Sequence, residues 1–336
     1  MKILILKPSS LGDVVQALPC ARMLRRHFPS AAIHWWIDAD LASLLEGDPD
    51  VGRLVLFERR RWVSPRHWPE VFASARALRS EHYDWVIDLQ ALARSGLAAW
   101  LADGTLTVGL DDRREGAVAF YDVRVPRPGE WAHAVDWYLA VLEALGVPVC
   151  WDIEWLPRRA AAAESIRRRW PVEGEPWIAI QPGARWWNKR WPVGHFAALA
   201  KELAGRLPTA RFVVMGGASD AEAGRAIASA VPGRSLDVTG QTSLPEMVEW
   251  IRAARLVVSN DSGPMHVAAA LGRPVVALFG PTSPARTGPY GQIDTVLQER
   301  LECVPCLRSR CGRHPPVECL ESLRPERVAA EVLARF

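Results

Sequence analysis

Two doubly wound α/β domains, each a parallel sheet covered by helices on both faces, facing each other across a cleft, are the architecture the sequence predicts. Three observations predict it. The chain has 336 residues, 49% of them apolar, more than a single core usually takes up, since cores stop growing near roughly 250 to 300 residues. Short β-branched runs alternate with stretches whose apolar residues recur at helical spacing, the pattern of parallel sheets wrapped by helices. A Pro-rich, charged stretch over residues 150–176, with Pro157, Pro171 and Pro176, breaks this alternation once and ends before a fresh strand. The domains are accordingly expected at 1–160 and 172–336.

Taken in order, KILILK is a strand, SSLGD a loop and VVQALPCARMLRRHF a helix. The same unit returns as AIHWWID with ADLASLLEG and as YDWVIDLQ with ALARSGLAAWLA. Beyond the interruption it returns as WIAIQPG with FAALAKELAGRL, RFVVMGG with DAEAGRAIASAV, and RLVVSN with PMHVAAAL, after which VVALFGPTSP is a further strand and polar turn. No repeat of 20 to 50 residues and no low-complexity tract is present. Ligands of such sheets bind beyond the carboxyl ends of the strands, so the loops there are where chemistry is sought.

Charge narrows the partners. Lys and Arg number 41 against 38 Asp and Glu, a formal net charge of +3, too small an excess to call for nucleic acid. Basic runs stand at Arg59, Arg60 and Arg61, at Arg113 and Arg114, and at Arg167, Arg168 and Arg169. Each suits an anionic substrate, a membrane surface or a plain solvated face. The opening MKILILKPSS holds an apolar run that Pro8 ends, too short for a signal peptide, and no apolar stretch approaches the roughly 20 residues of a membrane-spanning helix. The expected location is cytoplasmic, with peripheral attachment to a membrane face open. Sixteen Trp stand beside 8 Phe and 4 Tyr; indole stacks on sugars and sits at membrane interfaces, but core packing accounts for most of such a count.

The stretch SNDSGPMH places Asp261, Ser262, Gly263 and His266 where a strand ends and a helix begins, with Pro264 in the first helical turn. Backbone N–H groups and the positive end of the helix dipole attract phosphate there. Gly263 permits close approach, Ser262 adds a hydroxyl, and His266 reaches the same anion or a neighbouring hydroxyl. Asp261 suits hydroxyls instead, and phosphate together with a polyol means a sugar nucleotide. The plainer alternative makes Asp261 and Ser262 helix caps and His266 a half-buried residue.

Three more loops at strand ends bear on this. QPGARWWNKRWP offers Lys189 and Arg190, cations able to neutralise a departing pyrophosphate without a metal, or surface charge before a helix. In MGGASDAEAG, Gly216 and Gly217 suit close contact with a nucleotide, and Glu222 accepts a bond from a ribose hydroxyl or serves as a helix-start carboxylate. KPSSLGD sets Asp13 at a helix start with Ser9, Ser10 and Gly12 around it, as a cap or as the base that takes a proton from an attacking hydroxyl.

KPSSLGDVVQALP, YDWVIDLQALARSG, PGARWWNKRWP and VVSNDSGPMHVAAALGRPVVALFGPTSP, in this order across nearly the whole chain, resemble the ADP-heptose:lipopolysaccharide heptosyltransferases of glycosyltransferase family 9. The resemblance implies the GT-B fold, two Rossmann-like domains with acceptor bound by the first and donor by the second. It matches Asp13 to the general base, Lys189 to the phosphate-binding lysine, and Asp261, Ser262, Gly263 and His266 to the donor loop. Glu222 falls close to an acidic donor-contacting position, while Ala184 and Arg185 stand where some members carry a Thr pair. The acceptor it implies is an anionic inner-core sugar on lipid A, met at the inner face of the inner membrane, with Lys7, Ser9, Ser10, Gly12, Arg59, Arg60, Arg61 and Arg94 as candidates to bind it.

Motifs of other enzyme classes, G-x-G-x-x-G, G-x-x-x-x-G-K-[ST], H-E-x-x-H and G-x-S-x-G, are absent from the sequence. Asp38 to Asp40 form a D-x-D that reads as a helix cap in the wrong half for a donor metal. Cys303, Cys306, Cys311 and Cys319 have the spacing C-x₂-C-x₄-C-x₇-C, which fits a structural zinc or iron site or four reduced thiols. The expected activity is inverting transfer of heptose from ADP-heptose to an inner-core hydroxyl, needing no metal or other cofactor for the chemistry. Alternatives are a relative acting on a protein or other acceptor, a nucleotide-sugar epimerase of the same fold, and a binding protein without catalysis.

Overall fold

The longest apolar runs become the strands at the centre of two sheets. The computed structural model describes residues 1–174 and 176–336 and divides them into two compact units, Met1–Pro157 and Arg158–Phe336. In the first unit β1 (Lys2–Leu6), β2 (Ala32–Asp38), β3 (Arg53–Phe57), β4 (Trp85–Asp88), β5 (Leu106–Leu110) and β6 (Val123–Val125) form a parallel sheet in the order β3-β2-β1-β4-β5-β6. The second repeats the plan with β7 (Trp177–Gln181), β8 (Arg211–Val214), β9 (Ser235–Asp237), β10 (Leu256–Asn260), β11 (Val275–Phe279) and β12 (Val296–Gln298), in the order β12-β11-β10-β7-β8-β9. Strands β7, β10 and β11 are buried at every position, as a parallel sheet covered on both faces requires. Edge strands β3 and β9 are not.

Helices complete the cores. In the first unit Leu4, Leu6, Trp36 and Val86 from the sheet pack with Leu78, Tyr83, Ala98, Ala99 and Ala102. In the second, Ile178, Ile180, Phe212 and Val258 meet Trp191, Phe196, Leu199 and Leu203, with Val328, Ala329 and Val332 of helix Pro325–Arg335 closing the side. Each large side chain so buried contributes about 1.5 to 3 kcal/mol. The stretch between 160 and 172, read from sequence as a join, contains helix Ala160–Arg169 of the second unit. Its Ser165 hydroxyl and Arg169 guanidinium donate to Glu246 Oε1 at 2.6 and 3.1 Å, tying it to helix Leu244–Ala253.

Each sheet reverses its strand order once, between β1 and β4 and between β7 and β10. Loops at such a switch point diverge and leave room for a ligand at the carboxyl ends of the strands. The residues singled out in KPSSLGD, PGARWWNKRWP and NDSGPMH lie on these loops or in the first turns of the helices that follow them. Asp38 caps the turn of 3₁₀ helix that follows β2, accepting from Asp40 N–H at 3.1 Å, which is the role its D-x-D was given. Among the described residues no helix is long and apolar enough to cross a membrane.

Candidate active site

At the second switch point the end of β10 is organised by an amide. Asn260 is fully buried; its Nδ2 donates to Pro182 O at 2.7 Å and its Oδ1 accepts from Trp191 N–H at 3.0 Å, pinning both ends of the loop after β7. Asp261 follows, 5% exposed. Its Oδ2 takes the Lys189 ammonium at 2.6 Å and the Thr282 hydroxyl at 2.5 Å, so one carboxylate oxygen joins the loops after β7, β10 and β11. Lys189 also lies over the Trp186 ring, 4.8 Å from its centroid, in the geometry of a cation–π contact.

Ser262 is the N-cap of helix Gly263–Ala270, yet its side chain makes no cap bond; its hydroxyl lies 3.2 Å from Ser259 Oγ instead. The plain capping role open to it in the sequence is therefore not the one it takes. His266 is 8% exposed in the first turn of the same helix. The positive end of the dipole of helix Gly263–Ala270 thus lies beside the ion pair of Lys189 and Asp261.

The loop after β8 joins by a second carboxylate. Asp220 accepts from Gly217 N–H at 3.0 Å and pairs with Arg190 at 3.3 Å, while Arg190 Nε donates to Ala184 O at 2.9 Å. A side chain at Gly183 would put its Cβ 2.4 Å from Asp220 Oδ2, so that glycine is what admits the carboxylate.

In the first unit Asp13 sits in the first turn of helix Leu11–His27, and its Oδ2 accepts from Ser10 N–H at 2.8 Å and from the Ser10 hydroxyl at 2.6 Å. This capping box fixes the carboxylate beyond the end of β1. Lys7, 3% exposed, spans the switch point with its Nζ 2.7 Å from Leu89 O and 4.7 Å from the Tyr138 ring centroid. Burial alone would lower the Lys7 pKa, but Tyr138, Asp13 and Asp88 outweigh it and raise it. Asp88, at the end of β4, has its carboxyl pushed up by burial against hydrogen bonds from Tyr121, Ser95 and the Ala91 and Gln90 amides.

Residues 71–315 match the model of glycosyltransferase family 9 (heptosyltransferase), well over half of the chain. The chain belongs to glycosyltransferase family 9. This glycosyltransferase is 30% identical to lipopolysaccharide heptosyltransferase 1 of Pseudomonas aeruginosa, covering 99% of this chain and 98% of the relative, and 32% identical to lipopolysaccharide heptosyltransferase 2 of Salmonella typhimurium, covering 89% and 88%. Among solved structures, E. coli ADP-heptose lps heptosyltransferase II is 29% identical with a TM-score of 0.79, covering 99% and 98%. E. coli heptosyltransferase WaaC with ADP is 26% identical with a TM-score of 0.80, covering both chains completely. The two-sheet α/β architecture is thus that of the GT-B glycosyltransferases.

Placed in the glycosyltransferase, the expected site residues fall into groups. Lys189, Asp261, Ser262, Gly263 and His266 gather at the second switch point, with buried Ala184 and exposed Arg185 on the loop after β7. Glu222 is exposed on helix Ala221–Ala228; the acidic side chain woven into the loops is Asp220. Ser9, Ser10, Gly12 and Asp13 cluster at the first switch point. Lys7 is turned inward onto Leu89, which makes it a buried charge behind that loop and does not fit direct contact with an acceptor anion. Arg59, Arg60 and Arg61 follow β3, Arg60 pairing with Asp40 at 3.3 Å and Arg61 with Glu70 at 2.6 Å, and Arg94 lies on helix Ala93–Ala102. Thr282 and Asp220 were not foreseen as site residues, and Asn260, the second residue of SNDSGPMH, was given no role in the sequence.

The four late cysteines of the glycosyltransferase line a cavity of about 370 Å³ together with Arg308, Arg310 and Arg313. Burial and the other three thiols push Cys319 up to about 11, while the Val317 and Arg313 amides pull Cys311 down. Among the described residues all six cysteines are free and no group of three or more His, Cys, Asp or Glu is arranged to hold a metal ion. Of the two readings the spacing left open, a zinc or iron site and four reduced thiols, the first is not formed among the described residues. What the cysteine loop does hold is the loops after β7 and β11: Asn188 Nδ2 donates to Arg308 O at 2.9 Å and Leu307 N–H to Pro281 O at 2.7 Å.

Proposed function

We propose that this glycosyltransferase moves heptose from ADP-heptose to a hydroxyl of an inner-core lipopolysaccharide sugar, with inversion at the anomeric carbon. The observation that carries the reading is Asp261 holding Lys189 at 2.6 Å beside the mouth of helix Gly263–Ala270, in a chain whose relatives are named as lipopolysaccharide heptosyltransferases. Lys189, Ser262 and the helix amides bind the diphosphate, and Asp261 and His266 meet sugar hydroxyls. Ala184, Arg185 and Glu222 complete the donor set.

The reaction needs a base on the acceptor and a stabiliser on the leaving group. Asp13 takes the hydroxyl proton as that oxygen bonds to the anomeric carbon. The bond to ADP breaks through an oxocarbenium-like state, and charge growing on the diphosphate is met by a preorganised ammonium and helix dipole. Ser9, Ser10 and Gly12 shape the acceptor end, while Arg59, Arg60, Arg61 and Arg94 pair with carboxylates or phosphates of a glycolipid. Such an acceptor places the enzyme on the cytoplasmic face of the inner membrane, in transient contact with it.

Purified protein with ADP-heptose and lipid A precursors bearing the anionic core sugar, without heptose or with one heptose, tests the reading. Release of ADP coupled to a heptosylated product from one precursor is the expected result. ADP release without glycolipid product, or a donor other than ADP-heptose, overturns it.

A further inference from the structure

Residues 58–80 depart from the rest of the molecule in two ways. They hold six arginines, at 59, 60, 61, 66, 76 and 79, against Glu58 and Glu70, a local excess of four positive charges in a chain whose total is +3. They also hold apolar side chains out of the fold, Val63 at 80% exposure, Phe72 at 69% and Trp68 at 53%.

Helix Trp68–Ser80 is anchored through Leu78, its buried residue, which joins Tyr83, Ala98, Ala99 and Ala102 in the first core. Trp68, Phe72 and Arg76 are spaced by four and share one face. The helix packs on Ala93–Ala102, whose Leu97 and Trp100 are 46% and 57% exposed. Single exposed apolar residues need no explanation, but large ones grouped on two packed helices and the lead-in to one of them mark an interaction face.

Charge decides what covers this face. Indole and phenyl rings settle at the boundary between headgroups and acyl chains, and guanidinium groups pair with lipid phosphates. An anionic bilayer satisfies both chemistries at once, whereas a second copy would set the arginine excess against itself.

We propose that the face bearing Trp68, Phe72 and Trp100 docks on an anionic lipid bilayer, with Arg66 and Arg76 taking the lipid phosphates. The inference rests on the reading above that the acceptor is a membrane glycolipid, and it puts the docking face on the unit that carries Asp13.

Flotation of the full chain with vesicles of phosphatidylethanolamine and phosphatidylglycerol, and with phosphatidylcholine alone, tests it. The protein is expected to float with the first and not the second. The Trp68→Ser/Phe72→Ser and Arg66→Glu/Arg76→Glu pairs, all at exposed positions, each lower the bound fraction by about tenfold or more. Transfer to acceptor dispersed in detergent stays unchanged in both. Wild type that floats with neither vesicle, variants that float as wild type does, or a dimer that these substitutions split without any vesicle binding overturns the proposal. Failure of wild type to transfer heptose in detergent overturns the function instead, and flotation still decides the docking.

Discussion

Thr282 and Lys189 never touch in sequence or share a strand, yet both bond the same oxygen of Asp261, at 2.5 and 2.6 Å. A carboxylate held from two sides cannot turn, so the ammonium it carries is fixed as well. Replacing Thr282 by Val keeps the shape and removes the hydroxyl. Donor kcat/KM is expected to fall about tenfold to a hundredfold, the range for losing a hydrogen bond to a charged group. Thr282→Ser should stay within about threefold of wild type. Equal losses in both variants would point to packing in place of the hydroxyl.

Lys189→Met removes the ammonium and leaves a largely buried Asp261 with Thr282 alone. If the ammonium meets charge growing on the leaving diphosphate, kcat/KM falls by about 10²-fold or more and ADP binds more weakly by titration calorimetry. A variant with wild-type ADP affinity and kcat would remove Lys189 from the site.

Asp13→Ala separates chemistry from donor binding. Loss of a general base costs about 10² to 10⁴ in kcat, while ADP affinity, if the donor binds the second unit as proposed, should not change. The same change deletes the capping box with Ser10, which lowers stability by about 1 kcal/mol, readable in thermal melts. Retained turnover in Asp13→Ala would end its role as base.

Glu246 gives a pH signature away from the chemistry. Burial would raise its pKa, but hydrogen bonds from Ser165 and Ser243 and the charge of Arg169 outweigh it and lower it. A carboxylate depressed in the folded state stabilises above its unfolded pKa, and that stability is lost as pH falls through the folded value. Glu246→Gln should therefore cost about 1 to 2 kcal/mol at pH 7, and the gap to wild type should narrow as pH falls below the ordinary Glu range and close once it is below the depressed folded value. Urea unfolding at pH 7 and below that value measures it, and a gap that persists there would contradict the cause given.

What the sequence revealed follows from locality. KILILK, AIHWWID, YDWVIDLQ, WIAIQPG, RFVVMGG and RLVVSN announced β1, β2, β4, β7, β8 and β10 because central strands have no polar face. β3 has exposed and half-buried residues mixed, and β6 and β9 are three residues long, so neither periodicity nor length marks them. The loops at the switch points were legible because their Gly, Asp and Ser adjoin strong strands. Thr282 was not, since its partner lies 21 residues back and no local pattern records that pairing. Glu222 drew attention as a carboxylate at a helix start, although Asp220, two residues earlier, is the one that Gly183 and Gly216 make room for. Residues 160–169 looked like a join for their Arg and Pro neighbours; Ala163 and Ile166 supply just enough apolar surface to bury one face.

Asn260 has a consequence for how this protein ages. Spontaneous hydrolysis of its amide would replace the nitrogen facing Pro182 O with an oxygen, setting lone pair against lone pair at the root of the loop after β7. A lesion of one mass unit would thus cost the loop after β7 one of the two bonds that pin it. The enclosure that makes the amide indispensable also keeps water from it, so the damage belongs to chains awaiting folding or opened by heat, and storage of the native form is its own protection.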